Sequence, residues 1–290
     1  MNIGYVKMDK LNKFNYVYRN LLKKIRVVDN YYYLPSNSEK ILSIVREKLK
    51  QDNVDYIIQE KDIDCGYPEL TGKYNVKYML PEIITYCFKL LGKDVKMQDI
   101  YICVNEFSKE NISIIEELCQ KVKTVNIVTE HLKPFQELER RLERKEIYIT
   151  TSSNKRKGLS RALIIINIDF KDLKKYNINR KSIIVNSAPN IELGKDFEGI
   201  CIEKVLLDTK KVMRIFSDMQ NMDKQKLIEG EIIKQTNKND SNYANIRESI
   251  IKNKIHILKL LGKRSEIGKT EFSQLGTVLF QKLRTKSEKY

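Results

Sequence analysis

The chain has 290 residues and a formal net charge of +16, and it contains no Trp. No segment approaches the roughly 18 uninterrupted apolar residues that a membrane-spanning helix needs, which argues against an integral membrane protein. The five cysteines are widely spaced and there are only two histidines, which argues against a disulfide framework and against a zinc site. The first residues lack the apolar core of a signal peptide, so we expect a cytoplasmic protein with reduced thiols.

Residues 1–80 predict a small α/β module. The stretches YYYLP (31–35) and VDYIIQE (54–60) have the β-branched and aromatic composition of strands. Between them, residues 36–52 place apolar side chains at helical spacing, and Ser36 or Ser38 can cap that helix.

Residues 81–208 predict a second domain, and its first helix, 81–92, connects it to the N-terminal module. Pro81 in the first turn and Gly92 just after the end mark both limits of this helix. Apolar runs then alternate with helical segments, which is typical of a parallel sheet covered by helices. The runs are DIYICVN (99–105), TVNIVTE (124–130), IYITTSSN (147–154), ALIIINID (162–169), KSIIVNSA (181–188) and GICIEKVLLD (199–208).

Residues 209–290 predict a basic helical C-terminal region. Helical patterns cover residues 208–222, 224–235 and 244–262, and the polar run 236–242 reads as a loop. This region has 18 Lys and Arg against 9 Asp and Glu, whereas residues 99–208 have 19 against 17. The positive charge therefore lies mainly at the end of the chain, where we expect a protein or nucleic-acid partner to bind. The fold class predicted overall is α/β, with a Rossmann-like, mostly parallel sheet, a small N-terminal α/β module and a helical C-terminal region.

Polar residues follow most of the predicted strands of the central domain. An open parallel sheet binds ligands in the crevice beyond the carboxyl ends of its strands. Such a crevice for a small ligand would be formed by Asn105, Ser108, Thr129, Glu130, Ser152, Ser153, Asn154, Asn167, Asp169, Asn186 and Ser187. The alternative is that these residues only form turns and caps, for which Asn, Asp, Ser and Thr are also favoured.

A second candidate is an anion site in the loop SSNKRKG (152–158). Backbone amides at the start of a short helix, beside Lys155 and Arg156, would suit a phosphate. The alternative is a solvated basic loop, which is common in a Lys-rich protein.

The order of elements in residues 69–188 resembles the dinucleotide domain of the shikimate dehydrogenase, methylenetetrahydrofolate dehydrogenase and glutamyl-tRNA reductase group. The resemblance rests on a linker helix, on the strands IYICVN, VNIVTE, IYITTSS and RALIIINID, and on RKSIIVNSA. It implies a Rossmann-like fold and NAD(P) as cofactor, with Glu130 in the place of the acid that holds a ribose.

The turn that should hold the pyrophosphate departs from that family. Residues 105–111 read N-E-F-S-K-E-N and contain no glycine, although glycine lets the backbone approach the phosphates. The linker position of the family's catalytic Asp is held by Val76 and Lys77. NAD(P) is therefore possible but disfavoured, and the cofactor is unknown.

Further features have weaker signals. Residues 7–33 and 277–290 mix basic and aromatic side chains, as nucleic-acid binding requires, without a known motif. His131 follows Glu130 and could act as an acid or base, whereas His256, inside a helical pattern, is expected in a core or an interface. No set of residues predicts a catalytic mechanism or a metal site.

Three hypotheses follow from these observations. The first is a non-catalytic Rossmann-like scaffold or small-ligand sensor whose basic tail binds a partner. The second is an NAD(P)-dependent oxidoreductase with an atypical phosphate-binding turn, and the third is a nucleic-acid-binding protein.

Overall fold

The computed structural model describes residues 2–9, 15, 17, 22, 24–60, 62–72, 74–209, 224–234, 243–263 and 265–275. Contacts divide the chain into two compact units. The first unit comprises Met1–Gly72 and Asp208–Ile255, and the second comprises Lys73–Leu207 and His256–Tyr290. The predicted division into 1–80, 81–208 and 209–290 differs from these units and stays a prediction about separately folding domains.

The first unit contains a four-stranded sheet in the order β2-β3-β1-β4. Strand β1 is parallel to β3 and β4, and β2 is antiparallel to β3. Its elements are β1 (Ile3–Met8), β2 (Arg26–Val28), β3 (Tyr31–Leu34), α1 (Glu39–Gln51), β4 (Tyr56–Gln59), α6 (Lys224–Lys234) and α7 (Tyr243–Lys252). The predicted strand, helix and strand of this module are confirmed, and β1 was not predicted. Ser38 takes the N-cap position of α1, although its side chain makes no capping hydrogen bond.

Helices cover both faces of this sheet. Helix α1 buries Ile41, Val45 and Leu49 against a core that includes Val6 and Tyr32. On the other face, α6 approaches so closely that a Cβ atom on Gly230 would lie 3.1 Å from Ile58 and 3.3 Å from Ile3. Helix α6, which belongs to the predicted C-terminal region, is therefore part of the first unit's core.

The second unit contains a six-stranded sheet in the order β10-β9-β8-β5-β6-β7. Every neighbouring pair of its strands is parallel. Its elements are α2 (Tyr74–Tyr78), α3 (Leu80–Leu90), a 3₁₀ turn (Val95–Met97), β5 (Asp99–Cys103), α4 (Lys109–Cys119), β6 (Thr124–Val128), α5 (Leu132–Glu143), β7 (Ile149–Ser152), β8 (Ile164–Asn167), β9 (Ile183–Asn186) and β10 (Ile200–Ile202).

Residue composition explains these elements. All residues of β8 and β9 are buried, as continuous apolar runs require in a sheet covered on both faces. Helix α3 has Pro81 in its first turn, and Gly92 beyond its end has a φ of 65°, a conformation that glycine adopts without strain. The Rossmann-like α/β fold predicted from the sequence is confirmed.

The end of the second unit differs from the prediction. The run 199–208 forms two strands, β10 and β11 (Lys204–Asp208), which belong to different sheets. The predicted helix 244–262 ends at Lys252, and β12 (His256–Leu261) follows it, antiparallel to β13 (Glu266–Ile267). The prediction of helix for this part was wrong, because a short apolar run fits either period.

Two further predictions concern residues outside the described part. Most of the predicted helix 208–222 falls in residues 210–223, which the structure does not describe. The predicted loop 236–242 also falls outside the described residues. Both stay predictions.

Candidate functional site

The sheet order defines where a ligand would be expected. Strand order reverses between β5 and β8, which are neighbours although they are far apart in sequence. In doubly wound sheets the ligand crevice opens at this switch point, and a dinucleotide places its pyrophosphate on the turn after the first strand. In this chain, that turn begins at Val104 and leads to Ser108, the N-cap residue of α4.

A side chain of the protein itself occupies the amides of this turn. The Asp169 carboxylate, which follows β8, accepts hydrogen bonds from the Asn105 N–H at 2.8 and 3.0 Å. It also accepts one from the Glu106 N–H at 2.7 Å. These are the backbone donors that would otherwise face a phosphate. We call this arrangement the Asp169 cap.

Burial sets the protonation behaviour of the cap. Desolvation raises the pKa of Asp169, and the negative charge of Glu106 adds to the increase. The amide hydrogen bonds from Glu106 and Asn105, and the positive charge of Lys77, act in the opposite direction. A second anion at this turn would meet both the carboxylate and Glu106. The residues present therefore do not fit the pyrophosphate of NAD(P) in its usual place.

Asn105 also ties β5 to β6. Its side-chain oxygen accepts a hydrogen bond from the Glu130 N–H at 2.8 Å and another from the Thr129 hydroxyl at 3.3 Å. Thr129 is fully buried, and its hydroxyl oxygen accepts from the His131 N–H at 3.0 Å. The side-chain oxygen of Asn105 and the hydroxyl of Thr129 are therefore used within the protein.

The ends of β8 and β9 are joined in the same manner. Asn167 is fully buried, and its amide donates to the Phe170 carbonyl at 2.9 Å and to the Asn186 side-chain oxygen at 2.8 Å. The Asn186 amide donates to the Ala188 carbonyl at 2.9 Å. The Ser187 hydroxyl donates to the Asn167 carbonyl at 3.0 Å. These residues stabilise their own turns.

The proposed anion loop has a local cap. The Asn154 side-chain oxygen accepts hydrogen bonds from the Arg156 and Lys157 N–H groups, both at 3.0 Å. The Asn154 N–H donates to the Ser152 hydroxyl at 3.1 Å. A Cβ atom on Gly158 would lie 2.7 Å from the Asn154 carbonyl oxygen, so the tight turn needs glycine here. We call this arrangement the Asn154 cap.

Several candidate side chains remain at the surface. Glu130 and Lys155 form an ion pair at 3.4 Å, and each side chain is about half exposed. Ser153 and Arg156 are exposed as well. Ser108 caps α4, because its hydroxyl accepts from the Asn111 N–H at 3.3 Å.

Tyr176 is a buried residue at this end of the sheet that the sequence did not indicate. Its side chain is only 5% exposed, and its hydroxyl has no hydrogen-bond partner in the described part of the chain. Burial, together with the negative charge of Glu130, raises the pKa of Tyr176 to about 12. Its ring lies 5.9 Å from the Lys155 ammonium. Its neighbours in the structure come from distant parts of the sequence. Nothing in the local sequence therefore indicated that Tyr176 would be buried at this place.

Lys77 is also placed at this side of the unit. Its ammonium forms an ion pair with Glu110 at 3.0 Å, and its side chain is 17% exposed. In the resemblance described above, Val76 and Lys77 hold the linker position at which that family has its catalytic Asp. The structure provides Lys77 with a carboxylate partner on α4, which gives it a structural role.

Both histidines lie at the surface. His131 is an exposed residue at the start of α5. His256 is exposed at the start of β12, so its expected place in a core was wrong, while its place in an interface stays a prediction. Among the described residues, no group of three or more His, Cys, Asp and Glu could hold a metal ion. Within that same part of the chain, no helix is long and apolar enough to cross a membrane.

Two tyrosines of residues 7–33, Tyr31 and Tyr33 on β3, form a cluster with Tyr5 of β1. The Tyr5 and Tyr31 rings stack at 4.9 Å and 20°. The Lys7 ammonium lies 4.8 Å and the Arg26 guanidinium 3.9 Å from the centre of the Tyr33 ring. Ring faces that contact one another and these cations resemble a cross-strand cluster more than a flat platform for bases. The stretch 277–290 lies outside the described residues.

Comparisons with known proteins identify no family. No family model matches the chain, and no curated protein matches its sequence. The solved structures with similar folds include L-tryptophan dehydrogenase from Nostoc punctiforme, at 9% identity, 87% of this chain, 89% of that chain and a TM-score of 0.34. They also include the NAD-complexed D-isomer specific 2-hydroxyacid dehydrogenase from Lactobacillus delbrueckii ssp. bulgaricus, at 10% identity. That match covers 63% of this chain and 71% of that chain, with a TM-score of 0.28. Aspartate transcarbamoylase from Trypanosoma cruzi matches at 11% identity over 67% of this chain and 74% of that chain, with a TM-score of 0.29. Likenesses at these TM-scores carry no argument about function.

Proposed function

We propose that this chain is a non-catalytic scaffold or small-ligand sensor built on a Rossmann-like sheet. The observation that supports the proposal most strongly is the Asp169 cap, because it places a carboxylate on the amides that a nucleotide phosphate would need. The Asn154 cap and the Asn105, Asn167 and Asn186 hydrogen bonds add to it, because several further polar groups of the carboxyl edge are used within the fold.

The energetic cost of opening the cap supports the same proposal. A phosphate could reach the turn only after Asp169 had moved away from the Asn105 and Glu106 amides. Breaking charge-assisted hydrogen bonds of this kind costs about 1.5–3 kcal/mol each before any ligand contact is made. The displaced carboxylate would also remain near the incoming anion and repel it.

The partner would bind through the basic end of the chain in this proposal. Several cations of the described part of residues 209–290 already pair within the first unit, including Lys224 with Asp208 and Lys226 with Glu69. The segment 276–290 contributes four further Lys and Arg against one Glu. We therefore assign partner contact to this segment, and we expect the partner to present an acidic surface in the cytoplasm.

A thermal-shift experiment tests the non-catalytic assignment. The purified protein is heated with millimolar NAD, NADH, NADP, NADPH, ATP, GTP or S-adenosylmethionine, and no change in Tm is expected. A ligand at a hundred times its dissociation constant would add about 2.7 kcal/mol, which is readily detected. A dinucleotide that stabilises the wild type, and does so less after Glu130→Ala, would replace this proposal with the oxidoreductase hypothesis.

A truncation tests the partner site. Removal of everything after residue 208 would be uninformative, because α6 packs on the first unit's sheet. A chain ending at Leu275 keeps the described fold, and it should lose a partner that full-length protein captures from native lysate. Nuclease treatment separates the outcomes, because capture that disappears with nuclease would favour the nucleic-acid hypothesis.

A further inference from the structure

One edge of the second unit's sheet is formed by β7 (Ile149–Ser152). On its inner side, β7 is in register with β6, and the Ser152 carbonyl accepts a hydrogen bond from the Thr129 N–H at 3.0 Å. No other strand in the described part of the chain pairs with β7. Because the peptide groups of alternate strand residues point to opposite sides, Ile149 and Thr151 direct their N–H and carbonyl groups to the open edge.

The opposite edge of the same sheet is covered. Strand β10 leads directly into β11, which pairs with β12 in another sheet. The Glu203 N–H donates to the Leu261 carbonyl at 2.9 Å, and a Cβ atom on Gly262 would lie 3.2 Å from the Cys201 carbonyl oxygen. The chain at Leu261 and Gly262 therefore lies along the outer side of β10. As far as the described residues extend, β7 is the edge of this sheet that can accept a further strand.

Strand β7 also lacks the features that protect most free edges. Proteins discourage pairing at an edge with charged residues, proline or bulges. The four residues of β7 read I-T-T-S and keep a regular register with β6. Tyr148, just before β7, is 67% exposed, and the exposed Thr150 donates a hydrogen bond to the Asn126 side-chain oxygen at 2.7 Å. β-branched or aromatic side chains of an added strand would form stabilising cross-strand contacts with Tyr148 and Thr150.

Positive charge flanks β7 on both sides. The flanking cations are all exposed: Arg144, Lys145, Lys155, Arg156 and Lys157. Lys155 pairs with Glu130 at 3.4 Å, and Glu146 is the one acidic residue of segments 144–146 and 153–157. Two copies of this chain that paired through β7, in either direction, would bring these cations next to one another, which is unfavourable. An extended segment with acidic residues at both ends would instead be attracted.

We propose that β7 binds an extended segment of a partner protein, which adds a strand to the open edge of the sheet. The segment would have β-branched residues in its middle and acidic residues at both ends. The span from Lys145 to Lys155 corresponds to about ten residues of extended chain. Main-chain hydrogen bonds would supply affinity, and the side chains beside Tyr148 would supply specificity. This surface is separate from the segment 276–290 to which partner contact was assigned, and it does not depend on that assignment.

A synthetic peptide with one Trp tests the site. The probe is Asp-Glu-Val-Thr-Val-Trp-Val-Thr-Glu-Asp with blocked ends, and its fluorescence reports the peptide alone because the protein contains no Trp. We expect full-length protein to bind it with a dissociation constant on the order of 100 μM at low salt. The same peptide N-methylated at each Val and Thr keeps its side chains but cannot donate the ladder hydrogen bonds, and it should not bind. A peptide with Lys in place of every Asp and Glu should bind at least roughly tenfold more weakly.

Variants locate the peptide on the protein. Thr151→Pro removes an N–H that points to the open edge, a position at which sheets accept proline, and it should abolish binding. Circular dichroism checks that this variant is folded. Arg156→Glu changes only an exposed side chain and should weaken binding roughly tenfold. Lys195→Glu is the matched control, because it makes the same charge change in the exposed loop between β9 and β10, and its affinity should equal that of the wild type.

The outcomes separate this site from the one proposed at the end of the chain. A chain ending at Leu275 should bind the peptide as tightly as full-length protein does, because it retains β7. Absence of binding at about 1 mM peptide, or equal binding of the N-methylated peptide, would overturn the proposal. Undiminished binding by folded Thr151→Pro, or equal effects of Arg156→Glu and Lys195→Glu, would overturn it as well.

Discussion

The Asp169 cap and the Asn154 cap satisfy similar backbone amides by different means. Asp169 reaches the turn after β5 from the end of β8, 64 residues away in sequence from Asn105. Asn154 caps amides only two and three residues further along its own loop. The first cap therefore depends on the assembled sheet and uses a charged group, whereas the second can form locally with a neutral one. Their comparison shows that one sheet edge can be closed by tertiary and by local contacts alike.

Removal of the Asp169 carboxylate should have the largest effect. Asp169→Ala leaves the Asn105 and Glu106 amides without their acceptor, and we expect the free energy of unfolding to fall by about 2–4 kcal/mol. Urea denaturation followed by circular dichroism measures the loss. Asp196→Ala removes an Asp from an exposed ion pair and should cost at most about 1 kcal/mol. Equal losses for the two variants would mean that the long-range cap does not hold β5 to β8.

Removal of the local cap should have a smaller effect. Asn154→Ala removes the acceptor of the Arg156 and Lys157 amides, which can donate hydrogen bonds to water instead in this exposed loop. We expect the free energy of unfolding to fall by about 1 kcal/mol. Asn154→Asp keeps an acceptor oxygen in place and should retain most of the stability. A loss for Asn154→Ala as large as that for Asp169→Ala would remove the distinction between the two caps.

The pH dependence should distinguish the caps most finely. Because the folded-state pKa of Asp169 is raised, the folded protein binds its proton more readily than the unfolded chain does. The proton-linked part of this group's contribution to stability is therefore fully present below the ordinary pKa of Asp, about 3.9, and is lost as pH rises through the folded value. The amide hydrogen bonds that Asp169→Ala removes are separate from this part, because the carboxylate accepts them at neutral pH as well. Asp169→Asn should abolish the proton-linked part of the pH profile, and Asn154→Ala, which adds no titratable group, should leave it in place. Urea titrations from pH 4 to 7 measure both, and identical profiles for wild type and Asp169→Asn would contradict the assignment.

Much of the fold could be predicted from the sequence because it depends on local patterns. The buried runs that became β8 and β9, and the Pro81 and Gly92 signals of α3, are readable from a few residues each. The strand β12 could not be distinguished from a continuation of α7, because its pairing with β13 decides its conformation.

The site was harder to predict than the fold. The sequence predicts a polar set of residues at the strand ends, and both a ligand crevice and a set of turns and caps are compatible with them. Only tertiary structure shows that Asp169 meets the Asn105 and Glu106 amides, because their pairing requires β5 and β8 to be neighbours.

The Asp169 cap also provides a means to follow the opening of this fold. Its two amide hydrogens can exchange with solvent deuterium when Asp169 leaves the turn, which breaks the side-chain contact between the ends of β5 and β8. Their exchange rates would report that long-range contact, while the Arg156 and Lys157 amides would report a local movement of one loop. The molecule thus carries two sets of reporters, and both can be read in the unmodified protein.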